Sequence, residues 1–306
     1  MSATPAEAST IATRLRSHDR TARLTGGSFK ALLIFTVIIA LATLATLLVE
    51  VGVKGAPRLN PALFTHFPSG NPAKAGAQSA IVGTIVIMIV TAIVCIPVGV
   101  GAAIFLEEYR VDSHWLGRTF DRVVELNIAN LAAVPSIVYG ILGLGFLVRG
   151  LGMGQTVIAA ALTLALLVLP TVVIASREAI RAVPDSLRMA SSALGATRLQ
   201  TVWRLVLPTA VPGVATGAIL ALSRAIGEAA PLILLGGLVF VTFNPTGLDS
   251  AFTVLPIQIF NWISRPQEEF KVLAAAAIIV LLMLNLLMNG VAIGVRNRYR
   301  KKLAGL

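Results

Sequence analysis

Six long apolar runs, separated by polar stretches, set the architecture of this chain. They fall at residues 29–51, 81–106, 128–148, 156–175, 211–240 and 272–295. A helix needs ~20 apolar residues to cross a bilayer, and a backbone in hydrocarbon must satisfy its own hydrogen bonds. The pattern therefore predicts an all-α membrane protein with six transmembrane helices. The second half has one long polar interruption, 177–208, which reads as two short amphipathic helices joined by a hinge. Pro184, Asp185 and Ser186 are helix-start residues. Leu187, Ala190, Ser191 and Leu194 then recur at helical spacing. Gly195 fits a C-terminal cap, where a left-handed backbone is needed. Thr197 with Gln200 forms a capping-box start for the second helix, whose apolar face is Leu199, Val202, Trp203 and Val206. Pro208 and Pro212 lead into the next run. A helix–Gly–helix of this kind has two uses: docking into another protein, or packing as a connector on its own bundle.

Composition agrees with the pattern. Of 306 residues, 56% are hydrophobic and 13% charged, which excludes an ordinary soluble domain. The net charge of +11 would fit a nucleic-acid binder, but its distribution reads as topology. Eighteen basic residues fall on one side: five near the N-terminus, three in 107–125, five in 177–204 and five from Arg296 onward. Lys54, Arg58, Lys74, Arg149, Arg265 and Lys271 fall on the other, and Arg224 lies within a run. This bias places both termini in the cytoplasm. Glu107, Glu108, Asp112 and Asp121 dilute the loop 107–125, although acidic residues weigh little in the rule. Residues 1–28 are then a flexible basic cytoplasmic tail and not a signal peptide, since the run after them is long enough to span. Residues 29–295 form the six-span domain and 296–306 a second basic tail. The lone cysteine, Cys95, reads as a small buried hydrophobe. Of two long outer loops, 52–78 and 241–271, the second carries an apolar, aromatic stretch at 255–266. That stretch suits either the outer membrane interface or an external partner.

The residues that could carry chemistry sit mainly in the fifth run. Arg224 and Glu228 are four apart, on one helical face. A charge near mid-span costs ~2.5–3.5 kcal/mol and is kept for a partner or a function. Gly213 and Gly217 lie on the same face at the spacing that lets helices approach closely. The pair either neutralises itself to lock two helices, or presents a guanidinium to an anion whose geometry its donor fork matches. In the third run Pro135 predicts a kink, with Ser136 and Tyr139 offering polar atoms nearby. Arg177, Glu178 and Arg181, where the fourth run meets the cytoplasm, are either topology determinants or a second set of path residues. Gly290 and Gly294 repeat the close-approach spacing in the sixth run. There is no Gly-x-x-x-x-Gly-Lys-Ser/Thr loop for nucleotide phosphates. The histidines, His18, His66 and His114, are too scattered for a metal cluster, and no catalytic arrangement can be argued.

Several stretches carry a family resemblance. Met189-Ala190-Ser191, three residues, Gly195, nine residues, then Leu205-x-Leu207-Pro208 resembles the EAA motif of ABC-importer permeases. It departs from that motif in having Met189 where a Glu usually stands and Ser191 at the second Ala. Residues 223–232 (Ser-Arg-Ala-Ile-Gly-Glu-Ala-Ala-Pro-Leu), 133–140 and 80–84 resemble the phosphate-importer permeases, the Pst family. Ala229-Ala230-Pro231 and the stretch 255–270 resemble its A-type more than its C-type subunit. The likeness covers about 77–295. It implies a type I ABC-importer permease fold in which the loop around Gly195 docks on an ATPase through Met189, Ala190, Ser191, Trp203, Leu205 and Pro208. It further implies that Arg224 and Glu228 line the anion path in a bacterial cytoplasmic membrane. The implied partners are a second homologous permease, an ATP-binding cassette ATPase dimer, an external phosphate-binding protein and membrane lipid. No cofactor, metal, nucleic acid or nucleotide site of its own is implied. Within the class, molybdate, sulfate or an organic solute is the alternative cargo; outside it stand a secondary transporter and a non-transporting sensor subunit.

Overall fold

A computed structural model describes residues 5–109, 115–236 and 240–304. The chain falls into two compact units, Met1–Val53 and Lys54–Leu306. The first unit is almost wholly one helix, α1, Pro5–Gly55, which ends just inside the second. Its backbone is already helical through residues 5–28, where Ala, Leu and Arg are frequent and favour helix intrinsically. From Phe29 onward the apolar side chains, Leu33, Phe35, Ile38 and Leu41 among them, lie exposed. Such a surface suits a bilayer, where lipid tails are as apolar as leucine.

The second unit is built on α3, Gln78–Glu108, and α6, Val157–Arg181, which pack along their length. Ile87, Met88 and Cys95 share one core with Leu164, Val168 and Val172. Small residues let the helices close: Ala159, Ala160 and Ala161 are fully buried, and a Cβ on Gly99 would come within 2.7 Å of Val172. Helix α9, Leu207–Ala225, crosses α6 in the same way. Added Cβ atoms on Gly213 and Gly217 would strike Ala179 at 2.7 Å and Ala175 at 2.2 Å. The close-approach spacing read in the fifth run is thus used against α6. The matching pair in the sixth run has no such use among the described residues, where nothing lies within 4 Å of a Cβ on Gly290 or Gly294.

Before α3, the short helix α2, Pro61–Thr65, is capped by the Asn60 side chain and buries Leu63. Helices α11, Leu255–Ile263, and α12, Glu268–Ala304, pack together at one end. Leu255, Ile259 and Trp262 are buried there with Phe270 and Leu273. The stretch 255–266 is therefore chiefly core, in place of the interface or partner surface expected. Leu255, Ile259 and Trp262 pack in the core that α12 shares, Ile257 packs in the core of α3 and α6, and Phe260 and Ile263 are open.

Two of the predicted spans and one of the loop helices differ in form. The third is broken into α4, Trp115–Ala133, and α5, Ser136–Leu142, which continues as a wider π-type helix over Gly143–Gly150. The two halves bend by 101° at Pro135, whose ring and missing N–H end the first helix. The fifth stops at Ala225; after a turn, a short helix α10, Ala230–Leu234, follows. Gly227, a poor helix former, lies in the turn, and Pro231 fits the first turn of the new helix. The second amphipathic helix of the polar loop is not separate: α8, Arg198–Thr201, runs through a π-type turn, Val202–Val206, directly into α9. That wider turn lets the helix pass Pro208, which has no N–H to give. Among the described residues five helices are long and apolar enough to cross a membrane, and the bent pair makes a sixth crossing if counted as one span.

Candidate functional site

The break after α9 holds the first candidate locus. The span Arg198–Ala225 is 28 residues, about 42 Å at 1.5 Å per residue, against a hydrocarbon core of ~30 Å. Arg224 sits in its last turn and not at mid-span, a correction that follows directly from the early stop at Ala225. The helix C-terminus itself attracts the cation there. Arg224 Nε lies 3.5 Å from Glu228 Oε1, so the i,i+4 pair forms even though the helix has ended between them. The two partners are unequal: the Arg224 side chain is 56% exposed and that of Glu228 18%. Among the described residues this is the guanidinium's one ion pair, and much of its donor fork stays open. Beside it, the Ser223 hydroxyl lies between the Ile219 carbonyl and Asn289 Oδ1 of α12, and Asn289 reaches Asn285 at 3.4 Å. Further along the same helix pair, Arg296 donates to Thr216 at 3.0 Å. This polar seam was missed in the sequence, where two asparagines four apart in an apolar run were the available signal.

The second broken helix meets this locus. A Cβ on Gly140 of α5 would fall 2.6 Å from Pro231 Cα of α10, so the two short helices touch backbone to backbone. Tyr139 is buried, and its hydroxyl donates to the Leu131 carbonyl at 2.8 Å. That is the carbonyl Pro135 leaves without its helical donor. Tyr139 therefore braces the bend, while Ser136 is half-buried at its start. Neither contacts Arg224 or Glu228 through a hydrogen bond.

The second locus lies where α3 and α6 end. Arg177 is buried and donates to Glu107 at 2.9 Å, with Glu125 of α4 at 3.6 Å. Arg181 shares Glu107 at 2.8 Å, and Glu178 stands 3.8 Å from Arg181. The structure thus brings the expected trio together, but around Glu107, a partner 70 positions away from Arg177 in sequence. A buried guanidinium needs such a carboxylate, and Glu107 serves both Arg177 and Arg181.

The loop beyond carries α7, Asp185–Ala193, which buries none of its residues. Met189 is 71% exposed, Leu194 89% and Trp203 61%. Gly195 has φ +79°, its N–H reaches the Ser192 carbonyl at 3.0 Å, and Ala196 N reaches the Ser191 carbonyl at 3.2 Å, a Schellman closure. The Thr197–Gln200 capping box is formed in both directions. Ser191 bonds Thr201 at 2.8 Å, bracing the two arms. Ala190 lies in α7, Leu205 in the π-type turn and Pro208 in the first turn of α9. Met189 and Leu194 on and beside a helix that buries nothing, closed at its C-terminal end by the Gly195 turn, form an apolar face that is open among the described residues. Among the described residues no group of His, Cys, Asp and Glu could hold a metal ion.

Long apolar helices, two of them broken where polar side chains gather, and a capped helix pair presented at one end define a membrane-transport permease subunit. Residues 95–301 match the family described as "Binding-protein-dependent transport system inner membrane component", and the chain belongs to it. It is 35% identical over 220 residues to a "Probable ABC transporter permease protein YqgI" of Bacillus subtilis, covering 72% of each chain. It is also 35% identical over 210 residues to "Phosphate transport system permease protein PstA 1" of Mycobacterium tuberculosis, covering 68% of this chain and 67% of that one. Among solved structures it resembles a chain of a bacterial alginate ABC transporter crystallised with an alginate-bound periplasmic protein. The TM-score is 0.62 at 18% identity, over 91% of this chain and 96% of that one, a likeness of fold.

Proposed function

We propose that this chain is the A-type permease subunit of an ATP-driven importer that moves inorganic phosphate inward across the bacterial cytoplasmic membrane. One observation carries the reading: a half-open guanidinium, Arg224, at a helix break in a chain 35% identical to a named phosphate permease. The anion enters from an external binding protein at the outer loops. It passes Arg224, whose free donors hold it briefly while Glu228 keeps the guanidinium aimed. Contact there is weak by design, because tight binding would stall release. One such subunit lines half a pathway, so a second, non-identical permease supplies the other half. The exposed face of α7 and Trp203 docks on an ATPase dimer, which hydrolyses the ATP and swings the helices between outward- and inward-open states. Both termini lie in the cytoplasm, on the side of the basic loops. Arg177, Glu178 and Arg181 close the inner end as an ion-pair cluster. The test is uptake by the purified complex in vesicles, with ATP inside and loaded binding protein outside. ATP-dependent accumulation of phosphate, with sulfate and molybdate left outside, is expected. Preference for either rival anion would refute the cargo, and uptake without the ATPase subunits would refute the class.

A further inference from the structure

α7 buries no side chain, so something other than apolar packing must connect it to the spans. To α6 and α9 it is joined by the chain itself. It does not adjoin α3 in the chain. The link to α3 is Arg188, whose Nε and Nη2 both meet Glu108 Oε1, at 3.1 and 2.8 Å. The same guanidinium also donates to the Ile180 carbonyl at 2.9 Å, to the Val183 carbonyl, and to Asp185 at 3.0 Å. Glu108 is buried, so this is a desolvated, multiply bonded pair and not a surface ion pair. A second tie stands beside it, with the Arg198 guanidinium 5.4 Å over the Tyr109 ring.

The other end of α3 is fastened as firmly to the opposite face. Ser79 donates to the Val241 carbonyl at 2.9 Å, and Thr84 accepts from Leu255 N at 2.9 Å. A Cβ on Gly83 would fall 2.1 Å from the Thr253 carbonyl oxygen. Between these ends α3 is one helix of 31 residues, about 46 Å long. We propose that α3 is the rod that carries motion of the docking helix to the outer loop, and that Glu108 is the positioning residue that clamps the rod to that helix through Arg188. This rests on the permease reading above.

The test uses the full importer in vesicles, measuring phosphate moved per ATP hydrolysed alongside basal ATPase and assembly. Glu108→Ala should lower that ratio about tenfold, with basal hydrolysis and assembly unchanged, because only the transmission is cut. Arg188→Ala should do the same, and the double variant should lose no more than either single, since both remove one clamp. A wild-type ratio in Glu108→Ala, or losses that multiply in the double variant, would overturn the clamp. If Glu108→Ala does not assemble, Glu108→Gln, which keeps the shape and removes the charge, decides by the same ratio. A wild-type complex that moves no phosphate would refute the cargo instead. The clamp is then read from how far loaded binding protein stimulates ATP hydrolysis in each variant.

Discussion

Gly195 is the position where a single substitution separates backbone from side-chain effects. Its φ of +79° is one that residues with a Cβ enter at a cost of ~1–2 kcal/mol, and nothing lies within 4 Å of where that Cβ would stand. The penalty of Gly195→Ala is therefore conformational alone, with no clash to relieve. Set against the loop's closed state, ~1–2 kcal/mol lowers its population relative to the open state about five- to thirtyfold. Gly195→Val should cost more, because a β-branched residue is a true outlier there, whereas Gly195→Asn should cost less, since Asn visits this region several-fold more often. The affinity of the ATPase subunits for the permease pair in nanodiscs reads the effect, because the proposed docking needs the turn closed. The expected order of affinity is Gly, then Asn, then Ala, then Val. Equal affinity for Val and wild type, or Asn no better than Val, would refute the role assigned to this turn.

Two further predictions follow from the same geometry. Trp203→Glu places a charge on an apolar side chain that is 61% exposed and that the proposed docking buries, so ATPase binding should weaken by ~2 kcal/mol, about thirtyfold; an affinity within threefold of wild type would remove it from the face. Tyr139→Phe removes the hydroxyl from the Leu131 carbonyl, which still accepts from Val134 N at 3.2 Å, so the loss should be ~0.5–1.5 kcal/mol in a detergent unfolding assay with uptake retained. Abolished uptake in that variant would mean that Tyr139 touches the anion.

Local signals in the sequence were read well and distant ones poorly. The Gly195 turn and the Thr197–Gln200 capping box were legible because each is written within four residues. The Arg224–Glu228 pair was legible as an i,i+4 spacing. The depth of Arg224 was misread because the apolar residues continue past Gly227, so hydropathy alone could not register a helix that ends and restarts. Pro135 marked its kink, but the bend of 101° depends on where the second half finds its contact, at Pro231. Glu107 and Glu108 looked like charges diluting a basic loop. Their true partners, Arg177 and Arg188, are 70 and 80 positions away, and no periodicity joins them. Asn285 and Asn289 were passed over although polar residues in an apolar run are costly enough to need a reason.

Everything proposed for the cargo turns on the open half of Arg224, and one variant tests it. A unit charge ~4 Å from an anion is worth from ~1 kcal/mol in water to ~4 kcal/mol in a protein environment, so its loss should slow uptake between about fivefold and a thousandfold. Phosphate uptake by the assembled importer carrying Arg224→Gln, normalised to complex recovered from the membrane, is the measurement. The account predicts uptake lowered within that range while the complex assembles in full. Wild-type uptake from Arg224→Gln, or a complex that no longer assembles, would contradict it and leave the guanidinium a structural residue.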